Sequence, residues 1–390
     1  MKTIYLDNAA TTRVDDKVAD IMKEYMLERY GNASSIHFKG QEAKRGLDEA
    51  REIIASAIGA RFKEIIFTGS GTEANNLAIK GLFWQNQKDK TGKNHIITTK
   101  IEHDCVLNAC KWIETQGGKV TYLNVDKEGF VNAKDVEKAI TDKTILVSVI
   151  HGNNEIGTIQ NLREIGEVCH KKGVLLHTDA CQSFTKVDLN VKKDNLDLVT
   201  LNAHKIHGPK GVGALYIREG INITPLLHGG GQEFKIRSST ENILGIVGFG
   251  KAVRVASSGD VKQMKKFRDY FIERVLKEIP NVSLNGASGE KRLCNNINLC
   301  FHNIEGEAIG GFLDAAGIST STGSACSSKS LDPSHVLLAI GRTPLEANSS
   351  VRISISKYTT KEELDYAIEQ LKKTVEKLRK MSPLSLGGGW

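Results

Sequence analysis

The sequence predicts an α/β protein with a largely parallel central sheet, followed by a smaller α+β unit. Between about residue 40 and residue 255, short apolar runs alternate with helix-length segments. That alternation is typical of strands joined by right-handed crossovers in a parallel sheet covered on both faces. From about Gly259 the pattern changes to long helices separated by single strands. The hydrophobic share of 40% and the charged share of 25% are those of an ordinary globular protein.

Seven apolar runs are predicted to form the central sheet. They are EIIFT (64–68), HIITT (95–99), VTYLNV (120–125), TILVSVI (144–150), GVLLHTDA (173–180), DLVTLN (197–202) and GALYI (213–217). Most are rich in β-branched residues, as expected for buried strands. Because α/β proteins bind ligands at the carboxyl ends of parallel strands, polar residues at those ends are the first candidates for a site.

The second unit starts with a helical pattern over 261–279. It continues with the strand NNINLCF (295–301), the loop STGSACSSKS (321–330), the strand VRISIS (351–356) and a final helical pattern over 364–381. We therefore predict a large domain over residues 15–255. Residues 1–14 and 256–390 are predicted to form a small domain, with a loop at about 319–333.

Charge and cysteine content restrict the class of protein. The net charge of +7 is spread over the predicted helices, which permits a weak anionic partner such as tRNA but does not predict direct nucleic-acid binding. Seven cysteines at irregular spacings, with no C-x-x-C pair, favour a reducing compartment. No apolar run approaches the roughly 20 residues that span a bilayer, and the first residues lack the pattern of a signal peptide. We expect a cytoplasmic protein that does not enter a membrane.

The glycine-containing segment TGSGTEANN (68–76) follows the first of these strands and precedes a helical pattern. Glycines let the backbone approach a phosphate closely, and the first N–H groups of a helix attract anions. Gly69, Gly71 and Ala74 also fit the loose G-x-G-x-x-G/A pattern, so a nicotinamide-binding domain is an alternative. That alternative expects an acidic residue at the end of the next strand. There the sequence HIITTK has threonines and a lysine.

Two charged residues follow later strands. Asp179 lies near the end of the run GVLLHTDA (173–180). A carboxylate there either caps a following helix or accepts a hydrogen bond from a protonated ring nitrogen. Lys205 follows DLVTLN and precedes the turn-forming GPKGVG. Most lysines are solvated, but a desolvated one at a strand end can form a Schiff base with an aldehyde. A phosphate-binding loop, a strand-end aspartate and a later strand-end lysine are together the contacts that pyridoxal 5'-phosphate needs.

His103, in IEHDCV, also lies at a strand end. A lone histidine is more often a satisfied hydrogen-bonding group, but a flat imidazole can stack on a cofactor ring. A zinc site formed by His103, Cys105, His204 and His207 is the alternative, although this spacing matches no common ligand set.

Cys326 lies among small polar residues in STGSACSSKS, a composition that predicts an exposed, mobile loop. With Lys329 nearby it can be partly thiolate and nucleophilic, or it is a bystander surface thiol. Cys169, Cys294 and Cys300 lie in apolar segments and are predicted to be buried.

Ten segments, in order, resemble the cysteine desulfurases of the NifS/IscS group. They are YLDNAATT, YGNASSIH, GSGTEANNLAIKG, IEHDCVL, NNEIGT, HTDACQS, AHKIHGPKGVGALY, HGGGQE, RSSTEN and STGSACSS. The resemblance extends to about Leu384 and implies a fold-type I, aminotransferase-like enzyme with pyridoxal phosphate as cofactor. It also implies conversion of L-cysteine to L-alanine, with the sulfur transferred to Cys326 as a persulfide.

The resemblance implies roles for individual residues. Lys205 matches the lysine that holds the cofactor and then acts as base, Asp179 the partner of the pyridinium nitrogen, and His103 the ring-stacking acid/base candidate. The other implied cofactor contacts are Gly71, Thr72, Asn154, Gln182, Asn202, His204 and Thr240. The implied substrate-binding residues are Asn32, Asn154 and Arg352.

The resemblance further implies a homodimer, in which Thr240 reaches the other subunit's site. It also implies a sulfur-acceptor protein that serves iron–sulfur cluster assembly or the thiolation of tRNA or a cofactor. Three residues differ from the usual pattern of the group: Asn202 replaces serine, Ala33 replaces proline, and Ser239 replaces a glycine. Ser239 is strained if its backbone needs a positive φ. A selenocysteine lyase with the same site, and an aminotransferase-fold scaffold without turnover, stay open as alternatives.

Overall fold

The computed structural model describes residues 3–322 and 332–381, so Cys326 and Lys329 lie outside the described residues. The strands are β1 (Ile4–Tyr5), β2 (Ile65–Thr68), β3 (His95–Thr99), β4 (Lys119–Leu123), β5 (Thr144–Ser148), β6 (Leu175–Asp179), β7 (Leu198–Asn202), β8 (Gly213–Ile217), β9 (Val282–Leu284), β10 (Asn296–Phe301), β11 (Ile318–Ser319), β12 (Ser321–Thr322) and β13 (Ser350–Ser354). The α-helices are α1 (Asp16–Leu27), α2 (Phe38–Ala57), α3 (Gly71–Lys88), α4 (Asp104–Thr115), α5 (Ala133–Ala139), α6 (Leu162–Lys172), α7 (Ile243–Val255), α8 (Ser258–Glu278), α9 (Gly306–Ala315), α10 (His335–Ala339), α11 (Pro344–Asn348) and α12 (Lys361–Met381).

The central sheet has the strand order β2-β8-β7-β6-β5-β3-β4. All seven apolar runs predicted as strands belong to it. The pairs β3–β4, β3–β5, β5–β6 and β6–β7 are parallel, whereas β8 runs antiparallel to both β2 and β7. The direction reverses at β8 because the connection over residues 203–212 contains no helix and is too short for the crossover that parallel neighbours require.

One edge of this sheet collects the carboxyl ends of β2, β3, β5, β6 and β7. The strand β2 points the same way as β7, because each of them pairs antiparallel with β8. The predicted phosphate-binding loop, His103, Asp179 and Lys205 all follow strands that end there. The topology therefore brings these separate segments to one edge, as expected for ligand sites in open α/β sheets.

A second, antiparallel sheet has the order β12-β13-β10-β9, and the N-terminal strand β1 pairs in parallel with β11. Helices α8, α9 and α12 pack around these strands through an apolar cluster that includes Phe271, Leu299 and Leu371. The pairing of β1 with β11 agrees with grouping residues 1–14 with the C-terminal part, but the exact domain limits stay a prediction.

The core consists of apolar clusters on both faces of the central sheet and a further cluster on the second sheet. Cys169, Cys294 and Cys300 are buried, as predicted. In the described ranges 3–322 and 332–381, no helix is long and apolar enough to cross a membrane.

Candidate active site

A cavity of about 460 Å³ opens at the carboxyl edge of the central sheet. Its walls come from the loops that follow β2, β3, β5, β6 and β7, from the N-terminal segment and from β13. The predicted site residues that line it are Gly71, Thr72, His103, Asn154, Asp179, Asn202, His204, Lys205 and Arg352. The structure therefore brings together residues that are widely separated in the sequence.

The N-terminus of helix α3 forms one wall of the cavity. Ser70 is the N-cap, and its hydroxyl accepts a hydrogen bond from the N–H of Glu73 at 3.1 Å. The N–H groups of Gly71 and Thr72 precede the first intrahelical bond and therefore need another acceptor. A Cβ atom on Gly71 would lie 2.6 Å from Sγ of Cys181, so only glycine fits against this neighbour. The helix start thus offers an anion site of the predicted kind.

Asp179 is a buried carboxylate on the cavity wall, with 5% of its surface exposed. Burial alone would raise its pKa, but hydrogen bonds from the N–H of Cys181 at 2.9 Å and from the Nδ2 amide of Asn75 at 2.7 Å favour the charged form, and the pKa is lowered. The residues after it form turns rather than a helix. The interpretation of Asp179 as a helix N-cap is therefore wrong.

His103 is the N-cap of helix α4, and its Nδ1 accepts the N–H of Cys105 at 3.2 Å. Because a backbone N–H can only donate, the neutral imidazole carries its hydrogen on Nε2. Burial, followed by the charge of Lys205, lowers the pKa of His103, which favours this neutral form. The Cys105 thiol lies 3.1 Å from Nδ1 and 3.1 Å from the donating amide of Asn75. Burial raises the pKa of Cys105 to about 12, so this thiol keeps its proton.

Lys205 lies in the loop after β7, close in sequence to two other predicted cofactor ligands, Asn202 and His204. The backbone carbonyl of His204 accepts hydrogen bonds from the N–H and the hydroxyl of Thr12 at 2.9 and 2.8 Å, which holds the loop against the N-terminal segment. Burial, with added repulsion from Lys205 and other lysines, lowers the pKa of His204 to about 4. Asn202 is buried, and none of the residues that the structure describes donates a hydrogen bond to its Oδ1.

Arg352 lies on β13, lines the cavity and is 3% exposed. Its Nη2 pairs with a carboxylate oxygen of Asp7 at 2.9 Å, and its Nη1 donates to the carbonyl of Asn154 at 3.1 Å. The third nitrogen, Nε, is buried and has no hydrogen-bond partner among the described residues. Asp7 therefore shares the guanidinium that the family resemblance assigns to a substrate carboxylate.

Of the predicted site residues that the structure describes, three do not line this cavity. Gln182 is buried close by, and its amide donates to the carbonyl of Ala9 at 2.8 Å. Asn32 is exposed in the segment before α2. Thr240 is also exposed and lines a separate depression with Gly69.

Sequence reasoning missed several polar residues around the cavity. Asp7, Asn75 and Glu155 lie within the motifs but received no role, and Cys105 was assigned only as an alternative zinc ligand. Glu102, also unassigned, is fully buried, while Glu155 accepts a hydrogen bond from Ser334 at 2.5 Å. The available signal was their position beside residues already assigned, for example Glu102 directly before His103.

The Glu102 carboxyl is a source of pH-dependent stability. Its Oε1 accepts hydrogen bonds from the Thr99 hydroxyl and the Ile150 N–H. Its Oε2 is buried and has no partner in the part of the chain that the structure describes. Burial raises its pKa from 4.5 to about 8. Between those two values the unfolded chain releases the proton and the folded chain keeps it, so the stability falls as the pH rises.

We expect Glu102→Gln to remove this loss. The difference in the free energy of unfolding, variant minus wild type, should increase by up to about 3 kcal/mol from pH 4.5 to pH 7. Urea unfolding at several pH values measures this difference. Glu52→Gln, at an exposed position of α2, is the control and should show no such trend. If the difference between Glu102→Gln and the wild type also stays constant with pH, the Glu102 carboxyl is not the source of the pH dependence.

Ser239 has a φ of +145°, so the strain expected of a serine at this position is present. Replacement by glycine should relieve it, and we expect a net gain of about 0.5–1 kcal/mol in the free energy of unfolding. Thermal and urea unfolding would measure the gain. Ser34→Gly, at an exposed position without positive φ, should lower stability instead. A loss for both variants would show that the Ser239 backbone is not strained.

The sequence model of the aminotransferase class-V family matches residues 4–367 of the chain. The chain is 49% identical to the cysteine desulfurase IscS of Dictyoglomus turgidum over 387 residues, which are 98% of this chain and 97% of the relative. It is also 49% identical to the IscS of Methanosarcina thermophila, over 98% of this chain and 95% of that protein. The chain therefore belongs to the aminotransferase class-V family, as a member of its cysteine desulfurases. Enzymes of this family depend on pyridoxal phosphate.

Solved structures agree with this assignment. A NifS-like protein superimposes with a TM-score of 0.90 at 37% identity and covers 97% of this chain and 100% of its own. SspA, solved in complex with cysteine, superimposes with a TM-score of 0.82 at 39% identity, covering 92% of this chain and 100% of its own.

Proposed function

We propose that this chain converts L-cysteine to L-alanine with pyridoxal phosphate bound at Lys205, and that it transfers the sulfur to Cys326. The observation that carries the proposal is the pairing, in one cavity, of a strand-end lysine with a buried aspartate held in its charged form. Asp179 ends β6, and Lys205 lies in the loop that follows the neighbouring strand β7.

The residues present fit this cofactor. Within the described residues no cation forms an ion pair with Asp179, so a protonated ring nitrogen would supply the missing counter-charge. The start of helix α3 offers N–H groups at Gly71 and Thr72 for a phosphate. Asn202 lies at the same wall, and its amide nitrogen can donate a hydrogen bond to the phosphate. When bound, the cofactor supplies an electron sink that weakens the bonds to the α-carbon of an amino-acid substrate.

Proton transfer is assigned to Lys205 rather than to His103. The neutral His103 carries its hydrogen on Nε2, so that atom can donate a hydrogen bond but cannot accept a proton. The amine of Lys205, once free, can remove a proton from the substrate α-carbon and return one to the product. His103 would then orient groups by donation and stacking.

The substrate carboxylate is assigned to Arg352. Its guanidinium is held by Asp7 on one nitrogen and by the Asn154 carbonyl on another. Each of these two nitrogens carries a second N–H, and Arg352 lines the cavity, so a donor remains for an anion. This arrangement fixes the plane of the guanidinium and lets a carboxylate bind in one orientation.

Sulfur transfer is assigned to Cys326, which lies outside the described residues. Its thiolate attacks the substrate sulfur, so a new S–S bond forms while the carbon–sulfur bond breaks. The electron pair of the broken bond stays on the β-carbon, which takes up a proton to give alanine. The outer sulfur atom of the persulfide then passes to an acceptor protein, for iron–sulfur cluster assembly or for thiolation of tRNA or a cofactor.

The test is the intact mass of the cofactor-loaded protein after brief exposure to L-cysteine, with alanine measured in the same sample. We expect one added sulfur per chain that a reductant removes, in an amount that matches the alanine. Cys326→Ala should keep the cofactor and gain no sulfur. A wild type that binds the cofactor but yields neither added sulfur nor alanine would overturn the proposal.

We also propose a homodimer. Thr240 is exposed outside the cavity, which supports a contribution to the site of a second copy. Light scattering of the wild type, and cofactor affinity for Thr240→Ala, test this arrangement.

A further inference from the structure

Lys186 lies outside the cavity but contacts the backbone of two site residues. Its Nζ donates to the carbonyl oxygen of Gln182 at 2.8 Å and to that of Lys205 at 3.0 Å. The residue as a whole is only partly buried, but desolvation of the ammonium lowers its pKa to about 8. Within the described residues no carboxylate pairs with it. A desolvated cation without a counter-charge is costly, so stabilisation by charge pairing does not explain its presence.

The backbone of Thr185, directly before Lys186, is strained. Thr185 has a φ of +64°, which is unfavourable for a β-branched residue. That conformation belongs to the turn over residues 181–186, in which the Lys186 side chain returns to the carbonyl of Gln182. The surrounding structure thus holds a strained backbone at the point where Lys186 reaches its two acceptors.

The two carbonyls belong to different segments. Gln182 lies in the turn after β6, the strand that ends at Asp179, and Lys205 lies in the loop after β7. The ammonium therefore joins the two segments that carry the partner of the ring nitrogen and the proposed covalent anchor. Its charge also acts on the neighbouring His204, whose pKa it helps to lower.

We propose that Lys186 is a positioning residue, which holds the backbone of Lys205 against the turn after β6 and so presents the Lys205 amine to the cavity. This inference rests on the proposed function, because it assigns a task to the same lysine.

The test compares Lys186→Met with the wild type and with Lys357→Met. Lys186, Lys205 and Lys357 line a second, smaller cavity. Within the described residues, Lys357 pairs with Asp15 and makes no hydrogen bond to the Lys205 backbone. Each protein is incubated with pyridoxal phosphate and reduced with borohydride, and the mass added at Lys205 is measured over time. Turnover of L-cysteine gives kcat and KM. Urea unfolding without cofactor shows whether each variant folds.

In Lys186→Met, we expect modification of Lys205 to slow by about tenfold or more and kcat to fall similarly, since small misplacements of a reacting group have large effects on rate. The KM for L-cysteine should change by less than about twofold, because Arg352 and its partners are untouched. Lys357→Met should be modified at the wild-type rate. Equal modification rates in all three proteins would overturn the proposal.

Lys186→Ala, which leaves more space, serves as a second variant should Lys186→Met fail to fold. Rapid modification of Lys205 in a folded Lys186→Ala protein would contradict the positioning role. If the wild type itself gains no mass at Lys205, the proposed function fails rather than this inference alone.

Discussion

Replacing Lys205 with alanine is expected to lower the rate of alanine release from L-cysteine by at least about 10³-fold. It should also abolish covalent attachment of the cofactor. Lys205 is the proposed anchor and the proposed base, so one substitution removes both functions. The start of helix α3 and Asp179 remain in the variant, and noncovalent binding of the cofactor should therefore persist.

The measurements are steady-state alanine release and the protein mass after borohydride reduction. Lys210→Ala is the matched control, because Lys210 is an exposed lysine of the same loop and should keep wild-type behaviour. Borohydride-stable cofactor on the Lys205→Ala protein would place the anchor elsewhere and refute the assignment.

The second large effect is expected for Asp179→Asn. The substitution preserves the shape of the side chain and removes a buried charge that the Cys181 N–H and the Asn75 amide stabilise. A neutral amide does not hold a ring nitrogen in its protonated form, so the electron sink is weakened. We expect kcat to fall by about 10²-fold or more, with a smaller change in KM, since Arg352 is unaffected.

Kinetics of alanine release and the visible absorbance of the bound cofactor measure this effect together. Asp197→Asn is the control, because Asp197 pairs with Arg218 outside the cavity. A kcat for Asp179→Asn within about threefold of the wild type, with cofactor bound, would show that the carboxylate does not act on the ring.

Much of the fold was predictable from local patterns. The runs HIITT, TILVSVI and DLVTLN contain β-branched residues and are flanked by polar segments, so each was identified as a strand. Because parallel strands end at a shared edge, the same patterns predicted that His103, Asp179 and Lys205 lie near one another. The antiparallel direction of β8 was not predicted, because an apolar run gives no information about strand direction.

The site was predicted less completely. The carboxylate that pairs with Arg352 comes from Asp7, a separation of 345 positions, and no local pattern links the two. The roles of Asn75 and Cys105 likewise depend on contacts across strand ends. Resemblance supplied the names of the expected ligands, but it did not supply the hydrogen-bond partners that set their protonation.

The sequence by itself determined the family, the strands of the central sheet and the order of the residues at its carboxyl edge. These follow from periodicity, turn chemistry and motifs, all of which are local. Only the tertiary structure decided which ring nitrogen of His103 carries the hydrogen and which carboxylate pairs with Arg352. It also decided that Lys186 contacts the backbone of Lys205. Protonation and positioning depend on desolvation and on neighbours brought together by folding, and neither is encoded at a fixed spacing along the chain.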